Sequence, residues 1–264
     1  MTDTLNQFTW HVSDRGYTWE RTHTLESERN FWFLTNGVAP WMWKPYAPLL
    51  NTGLFREFAT LDPSRPAIKG FADHHGALTN GVGITLGNSW GTGESFDFWE
   101  ASILEMKELV EVWLMLTGKR PASGLQKIIR WHDDGVTYQL SNSQGKIATR
   151  KTNPDLLAKF ARGDFAGPAW RLLQQELNER LQGVTARMLW NHLKLILYQV
   201  PQDLLSAMWL QFARAVDGDR NYLKCEGCNN WFEVASPDGG RRDKQFCGTA
   251  CRARHWRTQK GVSK

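Results

Sequence analysis

All four cysteines of this 264-residue chain fall in its last 40 residues, as Cys225, Cys228, Cys247 and Cys251. Their pattern is C-x2-C, eighteen residues, then C-x3-C. In a reducing compartment, thiols paired this closely make a poor disulfide framework and a good tetrahedral metal site. Two intervening residues form a tight turn that aims both sulfurs at one ion, with backbone N–H groups beside the thiolates. Two such pairs fill a tetrahedron and leave no position for water. The expected cofactor is therefore one structural zinc ion and not a catalytic one. Reduced free thiols or a redox pair form the competing reading.

Charge singles out the same segment. From Arg220 to Lys264 the chain carries ten Lys or Arg against four acids, a net of +6. Residues 1–219 carry 22 positive and 23 negative side chains, so the whole-chain charge of +5 belongs to the tail. A small basic appendage on a neutral body contacts a polyanion or is a solvated face. Hydrophobic residues at 41% exclude wholesale disorder. The apolar stretches around Val110–Leu116 and Leu193–Val200 fall short of the ~20 residues a membrane span needs. The segment Met1–Gln7 has neither a basic nor an apolar region of the kind that opens a secretory signal. These features lead to the expectation of a cytoplasmic protein without membrane contact.

The periodicity predicts a body over 1–218 and a zinc module over 219–264, with Asp217-Gly218-Asp219 as the hinge. The clearest element is a helix from Ser95 to about Thr117, where Trp99, Ile103, Met106, Val110 and Trp113 step by 4, 3, 4 and 3. Pro45–Leu61, Pro63–His75, Asn153–Arg162, Gly167–Leu181 and Pro201–Gly218 also read as helices. Phe8–Val12 and Tyr17–Trp19 read as two strands joined by the turn Ser13-Asp14-Arg15-Gly16, and Val136–Leu140 with Lys146–Arg150 as a hairpin. Thr79–Gly93, with five glycines, reads as a surface loop, and Thr185–Tyr198 is ambiguous between helix and strand. The expected fold class is α+β, mostly α: a larger helical body with short hairpins and a small treble-clef-like module.

In the tail, Cys225-Glu226-Gly227-Cys228 with Trp231 and Phe232 precedes Arg241-Arg242, and Cys247-Gly248-Thr249-Ala250-Cys251 then opens a basic helix to Lys260. This arrangement resembles the tail of the bacterial CGNR zinc-finger proteins, over roughly 40 residues. In that family a finger of this kind follows a larger N-terminal domain. The resemblance implies a transcriptional regulator. Where the family has Gly-Asn-Arg after the last cysteine, this chain has Arg252-Ala253-Arg254.

Read without the family, the metal would hold out a short helix carrying Arg252, Arg254, Arg257 and Lys260, with Arg241, Arg242 and Lys244 on the preceding loop. Such residues neutralise phosphates and make bidentate contacts to guanine edges. Trp256 is available to stack, whereas Trp231 is expected against the knuckle. The expected partner is nucleic acid, DNA ahead of RNA, with protein partners or a homo-oligomer also considered. The alternative is a non-enzymatic subunit of a larger nucleoprotein or defence complex, its tail docking a partner or reading a short duplex.

Enzyme readings are set aside at this stage. Asp73-His74-His75 is the one compact cluster for a catalytic metal, but neighbouring helical histidines point about 100° apart. Trp131-His132-Asp133-Asp134-Gly135 reads first as a turn. The glycine-rich segment lacks both phosphate-cradling patterns.

Overall fold

The computed structural model describes residues 8–24, 27–36, 42–86, 89–133, 135–141, 147–151, 160–190, 193–234 and 243–261. In chain order the elements are β1 (Trp10–Ser13), β2 (Thr18–Thr24), β3 (Ser27–Thr35), β4 (Trp43–Tyr46), α1 (Leu54–Ala59), α2 (Arg65–His75), β5 (Val82–Leu86), β6 (Ser89–Ser95) and α3 (Phe96–Leu116). They continue with α4 (Leu125–Ile128), β7 (Ile129–Trp131), β8 (Val136–Ser141), β9 (Ile147–Lys151), α5 (Ala166–Arg180), β10 (Val184–Trp190), β11 (Leu195–Pro201) and α6 (Leu204–Asp217). The tail adds β12 (Asn221–Lys224), β13 (Trp231–Val234) and α7 (Thr249–Gly261).

The centre is α3. Ser95 caps it by accepting a hydrogen bond from the Phe98 amide at 3.2 Å, and Gly118 follows it at φ +71°. The stripe Trp99, Ile103, Met106, Val110 and Trp113 is buried against α1, α2 and α6, in a cluster that includes Phe55, Phe58, Phe71, Met208 and Phe212. The next face of α3 puts Val112 into a second cluster with Leu125, Ile129, Val136, Tyr138 and Leu172. That cluster covers the antiparallel sheet β7-β8-β9. Among the described residues no helix is long and apolar enough to cross a membrane.

The expectation of an α+β fold that is mostly α is overturned. Among the described residues thirteen strands form five antiparallel sheets, one of them a closed barrel in the order β2-β3-β6-β5. Four stretches are assigned here, three against expectation and one, Thr185–Tyr198, that the sequence leaves open. The stretch Thr79–Gly93, expected as a loop, supplies two barrel strands. At Gly93 the barrel is narrow: a Cβ there would stand 2.8 Å from Ile84 Cδ1 and 3.2 Å from the Leu34 carbonyl oxygen. Phe8–Val12 and Tyr17–Trp19 do not pair with each other. Instead β1 pairs with β4 and β2 pairs with β3, so four strands run through the described part of the aromatic N-terminal region. Thr185–Tyr198 is the hairpin β10–β11, and Pro45–Leu61 contains only the short α1 after β4 and a 3-10 turn. The expected helix at Asn153–Arg162 falls largely outside the described residues.

The hairpin β12–β13 leads from α6 into the tail and lies on the body. The Tyr222 ring meets the Phe55 ring edge-on at 5.0 Å, and the Arg56 guanidinium sits 4.5 Å above the Trp231 ring. Gly53 admits this approach, since any Cβ there would run into the Trp231 backbone. Lys119 pairs with Asp219 at 3.0 Å across the same junction.

Candidate metal centre and basic helix

The knuckle Cys225–Cys228 is closed by backbone bonds from Cys225 N to Asn230 O and from Asn229 N to Cys225 O. Asn229 adopts φ +60°, the left-handed region that Asn tolerates better than most side chains. Glu226 N donates to Gln245 O at 3.0 Å and ties this turn to the loop that brings in Cys247. Gly227 is required by the packing, because a Cβ would lie 2.9 Å from both Cβ and the carbonyl oxygen of Cys251 at the start of α7. Cys225, Phe232 and Val234 are buried here, with Phe246 packed beside them. Trp231 is turned away from the knuckle toward the body, so Phe232 takes the place expected for it.

These constraints converge the four sulfurs. Their Sγ atoms all lie within 4.8 Å of one another, a cluster that can hold a metal ion. Cys228 and Cys247 sulfurs are 3.7 Å apart, and those of Cys247 and Cys251 3.5 Å. A tetrahedral ion with metal–sulfur bonds of ~2.3 Å requires edges of about 3.8 Å. The donor set and spacing therefore fit a tetrahedral thiolate site. Burial opposes ionisation of Cys225, yet amides of Cys247, Gly227 and Cys228 donate to its sulfur and bring its pKa down to about 6. Burial and neighbouring sulfurs push Cys247 up instead. A bound cation displaces the remaining protons.

The second cysteine pair sets the start of α7, with Arg252 N donating to Gly248 O. The helix carries no acid in its first turn. Arg252, Arg254 and Arg257 are all exposed, as is Lys244 on the loop before it. The described ion pairs of the tail, Arg220 with Glu233 and Lys119 with Asp219, do not reach the helix. Arg252 and Trp256, four residues apart, share one face and line a groove of about 550 Å³ with Asp243, Lys244, Gln245, Phe246, Gly248 and Thr249. Trp256 is 56% exposed, an unusual cost for an indole unless something covers it. Arg241 and Arg242 lie outside the described residues, and of Lys260 only the helical backbone is described.

Of the residues weighed for catalysis, Asp134 lies outside the described residues, and the others make the following contacts. Asp73 accepts from Lys69 Nζ at 2.6 Å and from the Tyr17 amide at 2.7 Å. His74 bonds the Gly70 carbonyl, while His75 lies between the Tyr46 hydroxyl and Glu57 Oε1. His132 contacts Thr137, and Asp133 pairs with Arg162. Among the described residues the cysteine cluster is the one group of three or more potential ligands brought within reach of an ion. No protein-family model, curated protein or solved structure matches the chain.

Proposed function

We propose that the chain is a zinc-dependent nucleic-acid-binding protein, a regulator of the kind its CGNR-like tail resembles, which contacts DNA through residues 219–264. The observation that carries this reading is the surface of α7. Three arginines and a tryptophan are presented to solvent on a helix whose start is fixed by the cysteine cluster, with Asp243 the one carboxylate among the described residues lining the groove beside Arg252. A helix this polar has little apolar burial to hold it, so the metal supplies its position.

In this account zinc, bound by Cys225, Cys228, Cys247 and Cys251, supplies rigidity and no reaction. Arg252, Arg254 and Arg257 neutralise phosphates, and Lys244 extends the field along the groove. Arginine forks also suit guanine edges in a major groove. Trp256 gives the groove an aromatic wall against which a base or sugar packs.

The test is a triple substitution of Arg252, Arg254 and Arg257 to Ala, with binding to duplex DNA followed across a salt series. Loss of three phosphate contacts should lower the magnitude of the salt slope by about 3 while the metal content stays unchanged. An unchanged affinity and slope would contradict the proposal and turn the search to protein partners of the tail.

A further inference from the structure

The hairpin β10–β11 pairs with no other strand among the described residues. Side chains alternate between the faces of such a ribbon. One face starts at Ala186 and Gln199, beside Leu210, Ala213 and Arg214 of α6, where Arg214 donates to Gln199 Oε1 at 3.1 Å. Farther along, this face sets Met188 opposite Leu197 and Trp190 opposite Leu195. Those four are 56%, 65%, 71% and 63% exposed, and Leu193 at the turn is 94% exposed. Arg187 lies on the other face, paired with the buried Tyr198, so the charges near the four central side chains are Lys194 at the turn and Arg214 at the far end, beside Gln199.

The hairpin packs on α6, which leaves this face of it uncovered. The five residues leave several hundred Å² of mostly apolar surface open, at the upper end of what a monomer ordinarily shows.

We infer that this face is the contact between two copies of the chain. A face made of two apolar cross-strand pairs on antiparallel strands is self-complementary. Rotation about a two-fold axis lays Trp190 and Leu195 of one copy over Leu197 and Met188 of the other. The four central side chains are uncharged, which favours an equally apolar partner, and the open area is a large part of the ~800 Å² that each partner of a stable contact buries. The inference is independent of the nucleic-acid reading. If both hold, the dimer presents two basic helices, and the second contact becomes intramolecular.

The experiment is sedimentation of the full-length protein at micromolar concentration, beside the double variant Trp190→Glu, Leu197→Glu and the variant Arg187→Glu on the opposite face. The expected result is a dimer for wild type and Arg187→Glu, and a monomer with an unchanged circular-dichroism spectrum for the double variant. Amide exchange of β10 and β11 in wild type should quicken on dilution, a readout that needs no substitution. A wild-type monomer throughout, a double variant that folds and remains dimeric, or exchange in β10–β11 that ignores concentration would each overturn the inference.

Discussion

Glu94 sits at 3% exposure in the barrel wall, where it accepts hydrogen bonds from the amides of Leu78 and Thr79 and from the Thr79 hydroxyl. Burial is the largest influence and pushes its pKa up to about 7, although those donors work in the opposite sense. A carboxyl raised in the folded state binds its proton more tightly there than in the unfolded chain. Its contribution to stability is therefore full below about pH 4.5 and lost as pH rises through about 7, by about 3 kcal/mol at most. Thermal melting of wild type should show this decline, and Glu94→Gln should be less stable at acid pH and lack that part of the slope. Parallel pH profiles would contradict the assignment. Nothing in the sequence flags Glu94, since one acid between Gly93 and Ser95 looks like an exposed residue, and only the folded barrel reveals it as buried. The cysteines are the opposite case. Their chemistry is set by short-range spacing, and the structure brings together the four sulfurs that the spacing singles out.

At the level of elements, legibility followed periodicity. The stripe of α3 is buried at every expected position because a 3.6-residue repeat over five turns admits one interpretation. The strands were missed where glycine replaced side chains or where apolar residues occupied both faces. In β5 and β6, glycine marks close packing of a small barrel, not freedom of a loop. Gly93→Ala should accordingly cost about 1–3 kcal/mol, because the Leu34 carbonyl oxygen cannot move aside as a side chain can. Equilibrium denaturation measures this directly. A change below about 0.5 kcal/mol would mean that the barrel has more room than its geometry indicates. In β10–β11 apolar residues occupy both faces, Met188, Trp190, Leu195 and Leu197 on one and Leu189, Ile196 and Tyr198 on the other, so the apolar run carries no clean period of 2.

At the scale of the whole molecule, a mixed body is continuous with the tail through the Phe55–Tyr222 and Arg56–Trp231 contacts. Beyond that hairpin, the orientation of α7 depends on the sulfur cluster. On the proposed reading, a metal ion at this cluster organises the surface that contacts nucleic acid. The most direct test compares fluorescence anisotropy of labelled duplex DNA, single-stranded DNA and RNA with full-length protein. The protein would be metal-loaded, chelator-stripped, or carry Cys247→Ser, and metal content and far-ultraviolet circular dichroism would be recorded on each sample. The account predicts about one ion per chain, salt-sensitive binding by the loaded protein, and loss of that binding in the other two while the body remains folded. Equal binding with and without metal, or no binding by the loaded protein at low salt, would contradict it.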